Sequence, residues 1–586
     1  MATRATLPLL TDRRMQLSYP NQGKWLGTSA TCNISVKFAY LYYRPMELIE
    51  TSLALILAVA LVGAAARRVP VPLPILLILA GVALSFLPLL SDIALDPSIF
   101  FLLFIPPLLF GDGWQFPKRE FVLYRYSILM LAFGLVFATT LVVGYVVHWL
   151  IPSIPLAAAF ALGAVVSPTD AVAVSEVTRK LKLPARMVAV LSGESLINDA
   201  SGLVAFKFAV AAVVTGSFSL GDATLKFLLL SGGGAVVGLG VAYVIQWLRL
   251  QLQRRGMEDP AVQVALSLLT PFAAYLAAEE ANVSGILSVV AAGIYAGLDD
   301  NKHMTLETRM KAWSVWEMVL FLFNGLVFVL LGLQLRGVLS RIEEYTWSEL
   351  LFDALVVCVT VVLVRLIWIF PGSHVSLWLN RLHYPHLAAP RPRDLFIAGW
   401  AGIRGAVTLA GALSLPLMAG AELFPARDLL IFLATSVIVF TLVVNGLTLP
   451  LLIRQMRVTD DGTMIREERS ARVAVCQSAI DVLTAQLEHQ DQIADREFTN
   501  ALIGEYALRI QHADDTARAD AGVSNRIAAE RAMRLYALAA ERKTLHALRD
   551  AHKINEQTLF AIQRELDFRE AGLTITAPAQ HVDAPK

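Results

Sequence analysis

Apolar and polar residues in this chain fall into long blocks. From about residue 47 to residue 453 apolar runs follow one another, most of them long enough to cross the hydrocarbon core of a bilayer as helix. Thirteen such runs lie near 48–65, 73–90, 98–113, 122–149, 156–176, 187–214, 224–248, 261–279, 284–298, 314–335, 350–370, 395–418 and 428–452. The pattern predicts an all-α polytopic membrane protein with about thirteen transmembrane helices over 46–453. Past 453 the pattern becomes amphipathic. Val473, Cys476, Ile480, Leu483 and Leu487 recur at spacings of three and four, and Leu545, Leu548, Leu559, Ile562 and Leu566 form a second face, so 454–586 is expected to be a helical domain. Residues 1–45 are mixed and polar and lack the apolar core of a signal peptide. Met46 directly precedes the first run, so 1–45 is expected to be a disordered leader upstream of the natural start; a genuine extracytoplasmic leader is the rival reading.

Charge orients this array. Charged residues make up only 17% of the chain, against about a quarter in soluble proteins. The net charge of +1 offers no electrostatic case for nucleic acid, and Cys32, Cys358 and Cys476 show no metal-ligand spacing. Basic residues concentrate in alternate loops, among them Arg67 and Arg68, Lys118 and Arg119, Lys180 and Lys182, Arg254 and Arg255, Arg391 and Arg393, and Arg454 with Arg457. The opposite loops hold Arg336, Arg341 and Arg427. The positive-inside rule therefore puts the C-terminal domain in the cytoplasm and the start of the first run outside. A leader carrying Arg4, Arg13 and Arg14 would then sit on the unfavoured side, which again favours Met46.

Two runs are broken. The fifth contains "AVVSPTDAVAV", in which Pro168 removes a helical donor and disfavours helix at Ser167. The twelfth contains "GWAGIRGAVTLAG", with Gly399, Gly402 and Gly405 around Arg404. Five and twelve differ by seven, an odd offset, so two repeats of six runs would be inverted with a break at the fifth position of each. Interrupted segments at matching positions of inverted repeats mark a transporter's binding site. Asp170 is then placed to neutralise helix N-termini, and Arg404 to meet C-terminal carbonyls.

The sixth run carries the densest polar cluster, "GESLINDASG" at 193–202. On a helix Ser195 and Asp199 are i, i+4 and share one face, and Glu194 and Asn198 share the next, rotated by about 100°. A carboxylate in a low-dielectric site holds its proton to higher pH, and the same group with hydroxyl and carbonyl oxygens suits a hard cation. Proton and cation then compete for one residue, and if only occupied forms cross, exchange is obligatory. Asp199 with Ser195 and Thr169 is that candidate, Asn198 is the polar support, and Glu194 is expected to pair with Arg404. Glu317 and Arg365 are read as lying near cytoplasmic span ends, where snorkelling is the default.

The segments "SPTDAVAV", "GESLINDASGLVAF" and "GIRGAVTLA" resemble the signature segments of the monovalent cation:proton antiporter-1 family, most closely its bacterial sodium/proton exchangers with a long cytoplasmic tail. The resemblance covers about 48–453. It implies two crossing broken helices, a homodimer in the bacterial inner membrane and elevator-like motion of the core. It implies that Asp199 exchanges ion and proton, that Ser195 ligates the cation, that Thr169–Asp170 and Asn198–Asp199 are the family's paired motifs, and that Glu194 and Arg404 form its buried ion pair. The Asn198-Asp199 variant is associated with electroneutral exchange. The transported species would be Na⁺, with Li⁺ or K⁺ as options, and H⁺; no cofactor, organic substrate or enzymatic activity is implied. One departure is "PPLLFGDGWQFP": where relatives place an acid, this chain has Gly111 and then Asp112, so Asp112 is expected to mark the entrance of the path. The alternatives from other classes are a cation channel, for which no filter segment is present, and a scaffold or sensor working through the C-terminal tail.

Overall fold

The computed structural model describes residues 50–575 apart from short gaps at 67, 70, 88–96, 179–180, 182, 217–219, 341, 343–344, 385–387, 420–421, 459–461, 488–492, 516–520 and 552. The expected leader at 1–45 and the start at Met46 lie outside the described residues. Two compact units emerge. One ends at Leu181 and resumes over Ala189–Met456; the other comprises Lys182–Val188 and Arg457–Lys586.

The larger unit is helical, and every predicted run falls on helix. The first two runs are α1 (Glu50–Ala66) and α2 (Leu73–Leu84). The third is α3 (Pro97–Leu103) followed by α4 (Ile105–Gln115), and the fourth is α5 (Lys118–Leu129) continued by α6 (Val136–Leu150). The fifth is α7 (Leu156–Val166) with α8 (Ala171–Thr178), and the sixth is α9 (Ala185–Thr215). Next come α10 (Leu220–Arg254), α11 (Pro260–Glu280), α12 (Gly285–His303), α13 (Leu306–Leu339) and α14 (Trp347–Arg381). The twelfth run is α15 (Pro392–Trp400) with α16 (Ala406–Leu413), and the thirteenth is α17 (Arg427–Phe440) with α18 (Gly446–Gln455). Local chemistry sets several ends. Asp259 caps α11 by accepting from the Ala261 N–H with Pro260 at the first helical position, and Thr346 and Glu349 form a reciprocal capping box on α14.

Among the described residues seven helices are long and apolar enough to cross a membrane, and α7 with α8, bent by 41° at their break, reaches that length only when the two are taken together. The chain is thus a multi-pass membrane protein. Shorter apolar helices, including α1 and α2, accompany them. Small residues let helices approach closely: a Cβ on Gly238 would stand 2.6 Å from the Ser288 carbonyl carbon, so α10 meets α12 nearly backbone to backbone.

The break expected in the twelfth run is present: five residues between α15 and α16 leave the helix altogether. Two features depart from the sequence reading. A two-stranded hairpin, Met418–Ala419 with Glu422–Leu423, follows α16, so the unit is not purely α. Single π-helical turns interrupt the fourth run at Met130–Leu135 and the thirteenth at Thr441–Asn445. Such a turn inserts one residue without changing the apolar pattern, which is why periodicity does not reveal it.

The smaller unit contains α19 (Thr463–Leu487), α20 (Ile493–Asp515), α21 (Ala521–Asp550) and α22 (Glu556–Ile575). The face predicted around Cys476 and Ile480 is half-buried on α19, which packs on α20. Leu545, Leu559 and Leu566 of the second predicted face join Leu538 in a small buried core between α21 and α22, whereas Ile562 is exposed. Arg542 reinforces that hairpin through Asp567 at 2.7 Å and Glu570 at 2.6 Å.

Candidate functional site

The two broken runs cross. The Asp170 N–H donates to the Ile403 carbonyl at 2.7 Å, which ties one break to the other. Helix ends at such a crossing leave unsatisfied backbone groups, with donors at N-termini and acceptors at C-termini. One side chain of each sign serves them. Asp170 Oδ1 accepts from the Val172 N–H at 2.8 Å and the Ala173 N–H at 3.0 Å, capping α8. Its carboxyl also lies against Gly405, the cap of α16: a Cβ there would stand 2.7 Å from the Asp170 carboxyl carbon, so only glycine fits. Arg404 serves the opposite ends. Its Nε donates to the Val166 carbonyl at the end of α7 at 3.1 Å, and its Nη1 donates to the Gly402 carbonyl. The π turn completes the crossing, because Thr441 Oγ1 accepts from the Arg404 N–H at 3.2 Å and Asn445 Nδ2 donates to the Trp400 carbonyl at 3.0 Å.

The expected Glu194–Arg404 pair does not form. Glu194 is paired with Arg365: Nη2 donates to Oε2 at 2.9 Å, and Nη1 donates to Oε1. Both side chains are buried, at 0% and 1% exposure. Arg365 also donates to the Gly399 carbonyl at 3.1 Å and the Ala398 carbonyl at 3.2 Å, near the end of α15. The error lies in the span boundary. The apolar run 350–370 puts Arg365 near an end, but α14 continues through Pro371 to Arg381, which leaves Arg365 halfway along the helix. Glu317, by contrast, is exposed on α13. Thr169 joins the pair to the rest of the cluster. Its hydroxyl donates to Glu194 Oε1 at 3.1 Å and accepts from Asn198 Nδ2 at 3.0 Å. Glu194 is therefore held by three donors, an arrangement that fixes a buried charge in place.

Beside this network lies a cavity of about 30 Å³, lined by Asp199, Ser195, Thr169, Asp170, Asp112 and Thr408 among others. That is room for roughly two water-sized occupants. Asp199 is 7% exposed, and among the described residues it has no hydrogen-bond or ion-pair partner. Ser195 Oγ accepts from the Ala171 N–H at 3.2 Å, which holds α9 against the break. Asp112 lines this same cavity, so the one-residue shift in its segment leaves it beside the other carboxylates, inside the cavity rather than only at an entrance. Lys207 is elsewhere, 3.8 Å from Glu279 and exposed.

The structure thus gathers Thr169, Asp170, Ser195, Asp199 and Asp112 around one cavity, with Asn198 and Glu194 behind it. Sequence reasoning missed Arg365, Thr441, Asn445, Thr408 and Asn324. A charge or lone amide inside an apolar run was the available signal for Arg365, for Asn445 and for Asn324, which also lines the cavity; the hydroxyls carried none.

Residues 54–455 match the family described as sodium/hydrogen exchanger, transmembrane. An Escherichia coli (strain K12) protein named as an uncharacterized Na⁺/H⁺ exchanger, YjcE, is 38% identical over 90% of this chain and 99% of its own length. A Bacillus subtilis (strain 168) protein named as a sodium, potassium, lithium and rubidium/H⁺ antiporter is 37% identical over 89% of this chain and 78% of its own. Among solved structures, the sodium proton antiporter MjNhaP1 from Methanocaldococcus jannaschii at pH 8 shares the fold, with a TM-score of 0.52 and 19% identity over 70% of this chain and 97% of that one.

Proposed function

The chain belongs to the sodium/hydrogen exchanger family of secondary transporters, and from that premise we propose that it exchanges a monovalent cation for H⁺ at Asp199. The observation that carries this reading is the contrast of partners around the cavity. Asp199 is buried, lines the cavity and has no partner among the described residues, whereas Glu194 accepts from three donors and Asp170 Oδ1 from two backbone N–H groups; Asp112, the other carboxyl in the lining without a partner among the described residues, is only half-buried.

A bare buried carboxylate is costly, so it takes either a proton or a cation. When deprotonated, Asp199 offers two oxygens to a hard cation, and the Ser195 and Thr169 hydroxyls beside the cavity supply neutral oxygens. When protonated, it is neutral and needs no counter-charge in the site. The two states exclude each other, and both let the core move without an uncompensated charge. One exchangeable carboxylate per cycle gives one cation for one proton, which is electroneutral. Na⁺ is the foremost substrate and Li⁺ and K⁺ are further ones, in line with the names of the Bacillus relatives. Thirteen crossings in two inverted repeats, a homodimer, the plasma membrane and a cytoplasmic C-terminal domain complete the proposal; the basic loops support the orientation.

The test is exchange in proteoliposomes with a trapped pH-sensitive dye. Na⁺, Li⁺ or K⁺ pulses should dequench it for the wild-type chain and not for Asp199→Asn, and clamping the membrane potential should leave the rate unchanged. Full exchange by Asp199→Asn overturns the site, and a rate set by the potential overturns electroneutrality.

A further inference from the structure

The second broken run brings a hydroxyl to the cavity that the acidic motifs do not include. Thr408 lies on α16, lines the cavity with Asp199 and Ser195, and is 1% exposed. Its Oγ1 is buried and has no hydrogen-bond partner. The reason is positional. Buried threonines in helices ordinarily donate to the carbonyl four residues earlier, as Thr178 does to Val174, Thr270 to Leu266 and Thr441 to Val437. Thr408 is the third residue of α16, so four residues earlier lies Arg404, inside the non-helical break. The turn that would receive the hydroxyl does not exist. A buried hydroxyl left unmet costs on the order of 1–3 kcal/mol, so an occupant of the adjoining cavity that meets this hydroxyl is favoured.

We propose that Thr408 Oγ1 is a ligand of the transported cation, contributed by α16 and facing the Ser195–Asp199 side of the cavity. The inference rests on the exchange reading above. Its chemistry fits. A hydroxyl offers lone pairs to a cation and adds no charge, so it complements a single carboxylate without altering the charge carried per cycle. Both broken runs then feed the site, Thr169 from the first and Thr408 from the second. A hydroxyl of this kind acts on the cation-bound state and leaves the proton-bound state of Asp199 as it was. It therefore sets cation affinity and selectivity and leaves proton affinity alone.

The experiment measures exchange by Thr408→Val and Thr408→Ser in proteoliposomes over a range of Na⁺ and pH. Thr408→Val keeps the shape and removes the hydroxyl. It should raise the KM for Na⁺ by about tenfold, the equivalent of about 1.4 kcal/mol, with kcat nearly unchanged. The factor by which KM rises between pH 8.5 and pH 6.5 should equal that of the wild-type chain, because proton competition is untouched. Thr408→Ser should restore the KM to within about twofold, a factor equivalent to less than about 0.5 kcal/mol. A Thr408→Val KM within about twofold of wild type, or a loss confined to kcat that Thr408→Ser shares, overturns the ligand role. Absence of exchange by the wild-type chain would instead count against the exchange reading itself.

Discussion

Glu194 and Asp199 are carboxylates five residues apart on the same helix, both buried, and the structure treats them in opposite ways. Glu194 receives a two-pronged guanidinium from Arg365 and a hydroxyl from Thr169. Asp199 receives nothing among the described residues and faces a cavity. Five residues on a helix is a rotation of about 500°, or 140° after one full turn, so the two side chains leave opposite flanks of α9. One meets the packed interior and the other meets space. Burial is therefore a poor guide to role here. The number of partners separates a fixed charge that holds the crossing together from the unpartnered one to which the proposal gives the exchange.

The largest expected effect on this contrast is Asp199→Asn. It should abolish exchange and leave the thermal unfolding of the purified protein close to wild type, because no protein partner is lost. Glu194→Gln should do the reverse in kind. It strands Arg365 in the interior, and removing one member of a buried pair costs about 3–5 kcal/mol, visible as a lowered unfolding temperature in detergent and poor yield. The double change Glu194→Gln with Arg365→Gln should regain part of that stability; no recovery would show that the pair is not the stabilising unit. Asp112→Asn is expected to have a smaller effect, a few-fold change in KM for Na⁺ with exchange retained, because Asp112 lies on α4, apart from the α9 face that carries Ser195 with Asp199. The smallest effect belongs to removal of 459–586, which carries no residue of the cavity, so exchange by the shortened chain should persist. Acidification sharpens the same comparison. The proposed competition of protons for Asp199 predicts that the KM for Na⁺ rises as pH falls, approaching about tenfold per pH unit once most carriers are protonated. In Asp199-independent transport it would stay flat.

Much of this arrangement was legible in the residues. Apolar run lengths located every helix-rich segment, and the Pro168 and glycine breaks located the crossing. The roles of Asp170 and Arg404 at helix ends follow from the sign of their charges, and the hydrogen bonds bear out that electrostatic reading. What failed was pairing. A hydropathy run ends where Pro371 and polar residues begin, yet α14 carries on, and that extension is what makes Arg365 internal. With Arg365 read as a span-end residue, Arg404 was the buried cation left for Glu194, whereas geometry gives Arg404 to carbonyls and Arg365 to the carboxylate. The π turn at Thr441–Asn445 was invisible because one inserted residue leaves an apolar pattern intact. Thr408 was hidden for a related reason: a hydroxyl becomes informative only when the carbonyl it ordinarily uses is missing.

The most direct measurement of competition at Asp199 is proton release on cation binding. Purified protein in weakly buffered detergent solution is titrated with Na⁺ near neutral pH, and the released protons are counted calorimetrically in buffers of different ionisation heat. The account predicts up to one proton per protomer for the wild-type chain, the same for a variant altered in the tail, and none for Asp199→Asn. Cation binding without proton release, or release that survives Asp199→Asn, would contradict it.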